Sequence, residues 1–385
     1  MTVIYLAGHF KSQYKCDVAN WSNLLEELLE IIVGRLTCFL DYVRFGNVCR
    51  SWQTVIKNTH HNLTSFDPWL MLPEREDNSM IRGFYILSRR DVLELKLPEA
   101  HRKRCVGSTR GWLVMVDKSL SINLFNPCTR VQFTLPHQTT FQDQQNYLEE
   151  GLTSEELRNV FILKVVLSSS PSNPNYIAMA IYSDFCKLAI ARHGDEAWTT
   201  IPCEWNSFTD VIYYKEKFYA INWEGIVVSC DVGGHPKTTL ITAPVRQRSY
   251  GQKYLVECSG QLLQVIRDIE FRDNFLEHKT ARFSVFRLDF YSRLWVEIKS
   301  LGDHSLFLGY NTSFSFFCDK SLATRVKRNC IYFTDDYLEA HHGLSNSSGG
   351  SDKGVFHLEN GNVEPHYSGD GWHPFSLPIW FTPNK

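Results

Sequence analysis

Trp21-Ser-Asn-Leu-Leu-Glu-Glu-Leu-Leu-Glu-Ile-Ile-Val-Gly-Arg-Leu36 and, after a short connector, Asp41-Tyr-Val-Arg-Phe-Gly-Asn-Val-Cys-Arg-Ser-Trp52 are the stretch whose reading decides the architecture. Leu24, Leu28, Ile32 and Leu36 recur every fourth residue and form one stripe of a helix. Leu25, Leu29 and Ile31 widen the stripe beyond what one packed face needs. Ser22 is expected to cap the helix start, and Glu26 and Glu27 suit its first turn. Residues 20–57 are therefore predicted as two short amphipathic helices followed by a Val-Cys-Arg-Ser-Trp signature. About 40 residues of helix cannot bury so much apolar surface alone. They need a partner, which is either the rest of this chain or another protein.

Outward from this module the pattern changes. Residues 1–19 read as a loose leader. Residues 58–80 read as a connector, polar at first and then apolar through Pro68-Trp-Leu-Met-Leu-Pro73. From 81 to 385 the chain turns to β-rich runs of period two bounded by Gly, Asn, Asp and Pro. Trp112-Leu-Val-Met-Val, Tyr176-Ile-Ala-Met-Ala-Ile-Tyr and Lys217-Phe-Tyr-Ala-Ile are examples. A degenerate hairpin recurs near 84–98, 122–136, 187–202, 226–244, 283–301 and 354–366. Several copies finish alike, as in Leu95-Lys-Leu-Pro98, Phe133-Thr-Leu-Pro136 and Trp198-Thr-Thr-Ile-Pro202. Intervals of roughly 40 to 70 residues suit four-stranded propeller blades. The expected fold class is mainly β, a small helical module followed by a β-propeller of six blades, with seven as the alternative. A propeller must close or leave raw strand edges. Ile379-Trp-Phe381 is the candidate closing strand, and a simple tail is the alternative.

The stretch from Trp21 to Trp52 resembles an F-box, on Leu24, Glu27-Leu28-Leu29, Ile32, Leu36, Asp41, Phe45 and Val48-Cys49-Arg50-Ser51-Trp52. Leu25 stands where that family carries Pro. The remainder resembles the KIB-type β-propeller (domain of unknown function 295) of plant F-box proteins. The matching segments include Ser108-Thr-Arg-Gly-Trp112, Leu124-Phe-Asn-Pro-Cys-Thr-Arg130, Trp198-Thr-Thr-Ile-Pro202, Phe286-Arg-Leu-Asp289 and the terminal Ile379-Trp-Phe-Thr-Pro383. They run in order over nearly the whole chain. The resemblance implies a non-catalytic substrate-recognition subunit of an SCF-type ubiquitin ligase. Its F-box would dock a Skp-family adaptor and, through it, a cullin, and its propeller would hold a client protein. It implies Leu24, Leu28, Leu29, Ile32, Leu36, Val48, Cys49 and Trp52 for the adaptor-facing surface and the core of the module. The client-binding residues stay unknown. A ligase-independent propeller binding protein is the alternative.

Composition narrows the classes. The 385 residues carry a formal charge of −2, which supplies no bulk attraction to nucleic acid or an acidic membrane. No window reaches the length of an apolar membrane span, and no signal peptide is evident. The eleven cysteines form no Cys-x-x-Cys pair, so neither a zinc site nor a disulfide framework is read from them. Cytoplasm or nucleus is the expected location.

The search for chemistry finds no Gly-x-Ser-x-Gly, no His-Glu-x-x-His and no phosphate-binding glycine loop. Asp335-Asp336 reads as a solvated turn rather than a catalytic carboxylate pair. His341-His342 lies in a Ser/Gly-rich stretch, residues 339–353, and no metal role is assigned to it. Trp112, Trp198, Trp223 and Trp295 are read as packing between blades rather than as a ligand platform. Residues 137–159 are expected to be a polar insertion with a short helix capped by Thr153 or Ser154. The expected cofactor and metal content is none.

Overall fold

The computed structural model describes residues 21–36, 39–46, 48–58, 67–75, 77, 79–244, 251–272, 277–310, 312–319, 326–336, 352–369, 373 and 376–383. The leader 1–19, His341-His342 and residues 339–351 of the Ser/Gly-rich stretch lie outside them. The chain divides into two compact units, 1–63 and 64–385.

The first unit holds three helices, α1 (Glu26–Val33), α2 (Phe39–Gly46) and α3 (Arg50–Asn58), after a single 3-10 turn at Trp21–Asn23. The signature after the expected second helix turns out to begin a helix of its own: the Cys49 carbonyl accepts the Gln53 N–H at 3.0 Å. The start of α1 also differs from expectation. Leu25, not Ser22, occupies the N-cap, and its side chain caps nothing.

In the second unit six sheets form six blades. The strands are β1 (Trp69–Met71), β2 (Ile81–Ile86) and β3 (Asp91–Lys96); β4 (Arg104–Thr109), β5 (Trp112–Val116), β6 (Ile122–Phe125) and β7 (Gln132–Thr134); β8 (Ile162–Leu167), β9 (Ile177–Tyr182), β10 (Lys187–Arg192) and β11 (Thr199–Thr200). They continue with β12 (Phe208–Tyr214), β13 (Lys217–Asn222), β14 (Val227–Asp231) and β15 (Lys237–Thr242); β16 (Gln252–Cys258), β17 (Gln261–Arg272), β18 (Glu277–Asp289) and β19 (Leu294–Ile298). The last are β20 (His304–Leu308), β21 (Phe314–Phe317), β22 (Cys330–Phe333), β23 (Gly354–His357), β24 (Val363–Glu364) and β25 (Ile379–Phe381). Each hairpin recognised in the sequence is the outer pair of one blade, from β2–β3 to β23–β24.

Closure uses the C-terminal strand. β25 pairs antiparallel with β1, in the register Trp69↔Phe381, Leu70↔Trp380 and Met71↔Ile379. Trp69–Met71, which local sequence places in the connector, is thus a strand of the first blade. The pairing hides two edges that would otherwise be open to other chains. The sixth blade has an added strand: β20 runs parallel to β22, and β21 ends the sheet at the edge opposite β24.

Strand chemistry follows position. β5 is buried at every residue and reads as an unbroken apolar run, because blades cover both of its faces. The edge strand β3 is mostly exposed and carries Asp91, Glu94 and Lys96, charges that discourage edge pairing. Neighbouring blades meet closely at Gly107, where a Cβ would collide with the Val165 carbonyl of β8.

Two expectations about interior residues resolve in opposite ways. Trp112 and Trp198 lie in the core shared by the second and third blades, and Trp295 packs half-buried on a core. Trp198 stacks on Phe141 with centroids 4.7 Å apart, and its Nε1 donates to the Pro136 carbonyl. The polar insertion therefore contributes packing. Its helix α5 (Ser154–Val160), which follows α4 (Gln144–Glu149), is capped by Thr153 in a reciprocal box with Glu156. Trp223, in contrast, is 51% exposed and is not packing between blades.

Asp335-Asp336 is not a solvated turn; both side chains are buried. Arg267 bonds Asp336 at 2.7 Å and Asp352 at 2.8 Å, and His278 Nε2 meets Asp335 at 2.8 Å. Tyr254 donates its hydroxyl to Asp336. The network ties the fifth blade to the residues that follow β22. Sequence spacing could not reveal it, because its partners lie up to 85 residues apart.

Candidate functional site

The helical unit separates its apolar residues into two sets. Leu29 and Val33 of α1 are buried, together with Phe39 and Tyr42 of α2 and Val55 and Ile56 of α3. These form the small core of the module. Leu25, Leu28 and Ile32 sit three and four residues apart on another side of α1 and are exposed, Leu25 at 66% and Leu28 at 46%. Ile31, Trp21 and Val48 are also exposed. A lone exposed leucine needs no explanation, but several large apolar residues on one eight-residue helix do.

The signature residues hold the N-terminal turn in place. Trp52 Nε1 donates to the Trp21 carbonyl at 3.0 Å, and Ser51 Oγ donates to the Ser22 carbonyl at 3.1 Å. The Trp52 ring lies 4.2 Å from that of Phe45, centroid to centroid. Tyr42 donates its hydroxyl to the Ile56 carbonyl at 3.2 Å and so links α2 to α3. Cys49 Sγ lies 3.0 Å from Ser51 Oγ, and this hydrogen bond draws the thiol below its ordinary value.

Each residue singled out in the sequence now has a place. Leu28, Ile32 and Val48 are exposed, and Leu24, Leu36, Cys49 and Trp52 are half-buried. Leu29 alone of the eight is buried, 1% exposed, in the module core. Of the stripe Leu24, Leu28, Ile32 and Leu36, the two members within α1, Leu28 and Ile32, are turned away from the core, whereas Leu29 and Val33 face it. Trp21 and Ile31 also belong to the exposed set; Ile31 was read as part of the apolar excess, and Trp21 was not singled out.

Leu25 has φ −59° and ψ 142°. That φ is the value to which a proline ring locks the backbone, so the turn keeps a proline-compatible shape without the proline.

The arrangement presents an apolar helix side on a small, internally tied support, which suits docking of another protein. Among the described residues no helix is long and apolar enough to cross a membrane.

Comparison with known proteins shows the family, and its family model lies within the propeller unit. The family model described as KIB1-4 beta-propeller matches residues 84–357. The F-box protein SKIP23 of Arabidopsis thaliana is 25% identical, over 95% of this chain and 96% of that protein. The F-box/kelch-repeat protein KIB1 of the same plant is 24% identical, over 89% of this chain and 85% of that protein.

Proposed function

Since the chain belongs to the plant F-box family with a KIB1-4 β-propeller, we propose that it is the substrate-recognition subunit of an SCF-type ubiquitin ligase. The helical unit docks a Skp-family adaptor, which connects it to a cullin, and the propeller holds a client protein for ubiquitination. The chain works by proximity and carries out no bond chemistry itself.

The observation that carries this reading is the exposed side of α1, with Leu25, Leu28 and Ile32 turned away from the core formed by Leu29 and Val33. Burying such a side against a partner is favourable by about 25 cal/mol per Å² of apolar surface. The test is co-expression with a plant Skp-type adaptor, followed by size-exclusion chromatography with light scattering. The expected result is a one-to-one complex that is lost in the Leu28→Asp, Ile32→Asp double variant while the propeller stays folded. A complex that survives the double variant places docking elsewhere. No complex of the unmodified chain at micromolar concentration favours a ligase-independent binding protein.

A further inference from the structure

At the end of the propeller channel where β8, β12 and β16 begin lies a cavity of about 350 Å³, lined among others by Lys164, Asp184, Trp223, Tyr310 and Asp336. We propose that this cavity takes the side chain of an arginine or lysine from an exposed segment of a partner protein. The proposal rests on the propeller being the client-binding half, and it names the chemistry by which a client would be recognised.

Charge is the first argument. The cation in the wall is already neutralised: Lys164 Nζ bonds Asp210 at 2.7 Å. Two further cations behind the wall, Arg104 and Lys253, are fixed in direction by backbone carbonyls, which leave their charge in place. Arg104 donates to the Arg158 and Ile162 carbonyls, and Lys253 donates to the Trp223 and Gly251 carbonyls. Asp336, by contrast, shares the single guanidinium of Arg267 with Asp352. Asp184 adds a second carboxylate to the lining, and Glu224 stands exposed beside Trp223. Burial raises the Asp336 carboxyl pKa even against the pull of Arg267 and Lys164, and a further cation beside it would favour the charged carboxylate.

The second argument is an orphaned polar group. Tyr310 is only 5% exposed, and its hydroxyl has no hydrogen-bond partner among the described residues. A buried hydroxyl without a partner is costly, and its lone pairs can accept an N–H from an ammonium or guanidinium.

The third is an aromatic rim. Trp223, in the lining, is exposed, and its turn is joined through Ser207 to that of Phe185, which stands outside the lining with Lys187 Nζ 5.6 Å from its ring centre. Ser207 donates its N–H to the Phe185 carbonyl at 2.8 Å, and its own carbonyl accepts the Trp223 N–H at 3.0 Å. Lys253 further holds the Trp223 carbonyl at 2.6 Å. The Trp223 backbone is thus fixed at the edge of a cavity lined by two carboxylates and one paired lysine, where a cation can lie over the exposed indole.

The test uses the full chain and acetyl-arginine-N-methylamide as probe, followed by saturation-transfer NMR. The citrulline analogue keeps the shape of the probe and removes its charge. The expected result is binding of the arginine probe with the citrulline probe at least ten-fold weaker, and weaker arginine binding as salt rises. Trp223→Ala should weaken the arginine probe roughly two- to five-fold, the scale of a cation–π contact at an exposed ring. Tyr310→Phe, which keeps the ring and removes the hydroxyl, should weaken it several-fold, and this variant decides the outcome if Trp223→Ala unfolds the propeller. Equal binding of the two probes, or unchanged binding in these variants, overturns the proposal. Spermidine that outcompetes an arginine peptide would mark a polyamine site and overturn the choice of a protein partner. The Leu28→Asp, Ile32→Asp chain should still bind the arginine probe, so failure of adaptor docking and failure of this site are read separately.

Discussion

The helical unit and the propeller handle apolar surface in opposite ways. The propeller closes on itself: β25 seals β1, the inner strands are buried, and Trp380 is fully enclosed. The helical unit keeps a core of a few side chains and leaves Trp21, Leu25, Leu28, Ile31, Ile32 and Val48 in water. A closed ring has no need of a partner for stability, whereas a short helix bundle with one bare side is completed by one. The difference teaches where to look for obligate docking and where for selective recognition.

That contrast can be broken by attacking the self-sufficiency of the propeller. Arg267→Met leaves Asp336 and Asp352 buried without their cation and should destabilise the propeller by about 3–5 kcal/mol, the usual cost of removing one partner of a buried ion pair. Guanidinium unfolding followed by tryptophan fluorescence reads the loss. Trp380→Ala removes a fully buried ring from the closing strand and should cost about 3–4 kcal/mol. If the ring closes as described, hydrogen exchange in β1 should rise with it; unchanged protection of β1 would deny β25 its role.

A smaller effect is expected in the module. Leu29→Ala should cost about 2–3 kcal/mol, because Leu29 faces the core, while Leu28→Ala should cost well under about 1 kcal/mol in the free chain. Equal costs would erase the distinction between the two sides of α1.

The pH response sharpens the comparison further. Burial holds His366 down to about 4, below its ordinary value. Its stabilising contribution is therefore present above pH 6.5 and is lost as pH falls toward 4. His278 has the opposite sign. Burial alone would lower it, but the hydrogen bond and charge of Asp335 outweigh burial and leave it raised. Its contribution is present below pH 6.5 and fades as pH rises through its folded value. Unfolding midpoints across the range from about pH 4 to about pH 8, for the chain and for His366→Gln and His278→Gln, should separate the two slopes.

The smallest effect is at Leu25. Its φ already suits proline, so Leu25→Pro should slow exchange of the α1 amides, with a gain of about 0.4–1 kcal/mol from the unfolded chain. Faster exchange would mean that the Leu25 N–H or side chain is used by the module.

Legibility in the sequence followed the range of each interaction. The outer hairpins of the blades were readable because a strand, turn and strand are local, and so was a cap at Thr153 or Ser154, which the structure settles at Thr153 with Glu156 three residues away. The apolar excess of residues 24–36 was readable too. Its division was not, because which of two adjacent leucines faces inward depends on α2 and α3. Asp335-Asp336 misled for the same reason: next to Thr334 in sequence they look like a turn, and only Arg267 and His278, brought in from the fifth blade, make them interior. Trp223 misled in the other direction, since nothing local tells a packing tryptophan from one at a rim.

Local periodicity and the ordered motifs thus determined the family, the β-propeller and the position of the helical module, since these depend on residues close together along the chain. Tertiary structure alone decided which side of α1 is bare, which strand the closing segment pairs with and which carboxylates share one arginine. Those outcomes depend on pairings such as Leu70 with Trp380, which form only when distant segments meet.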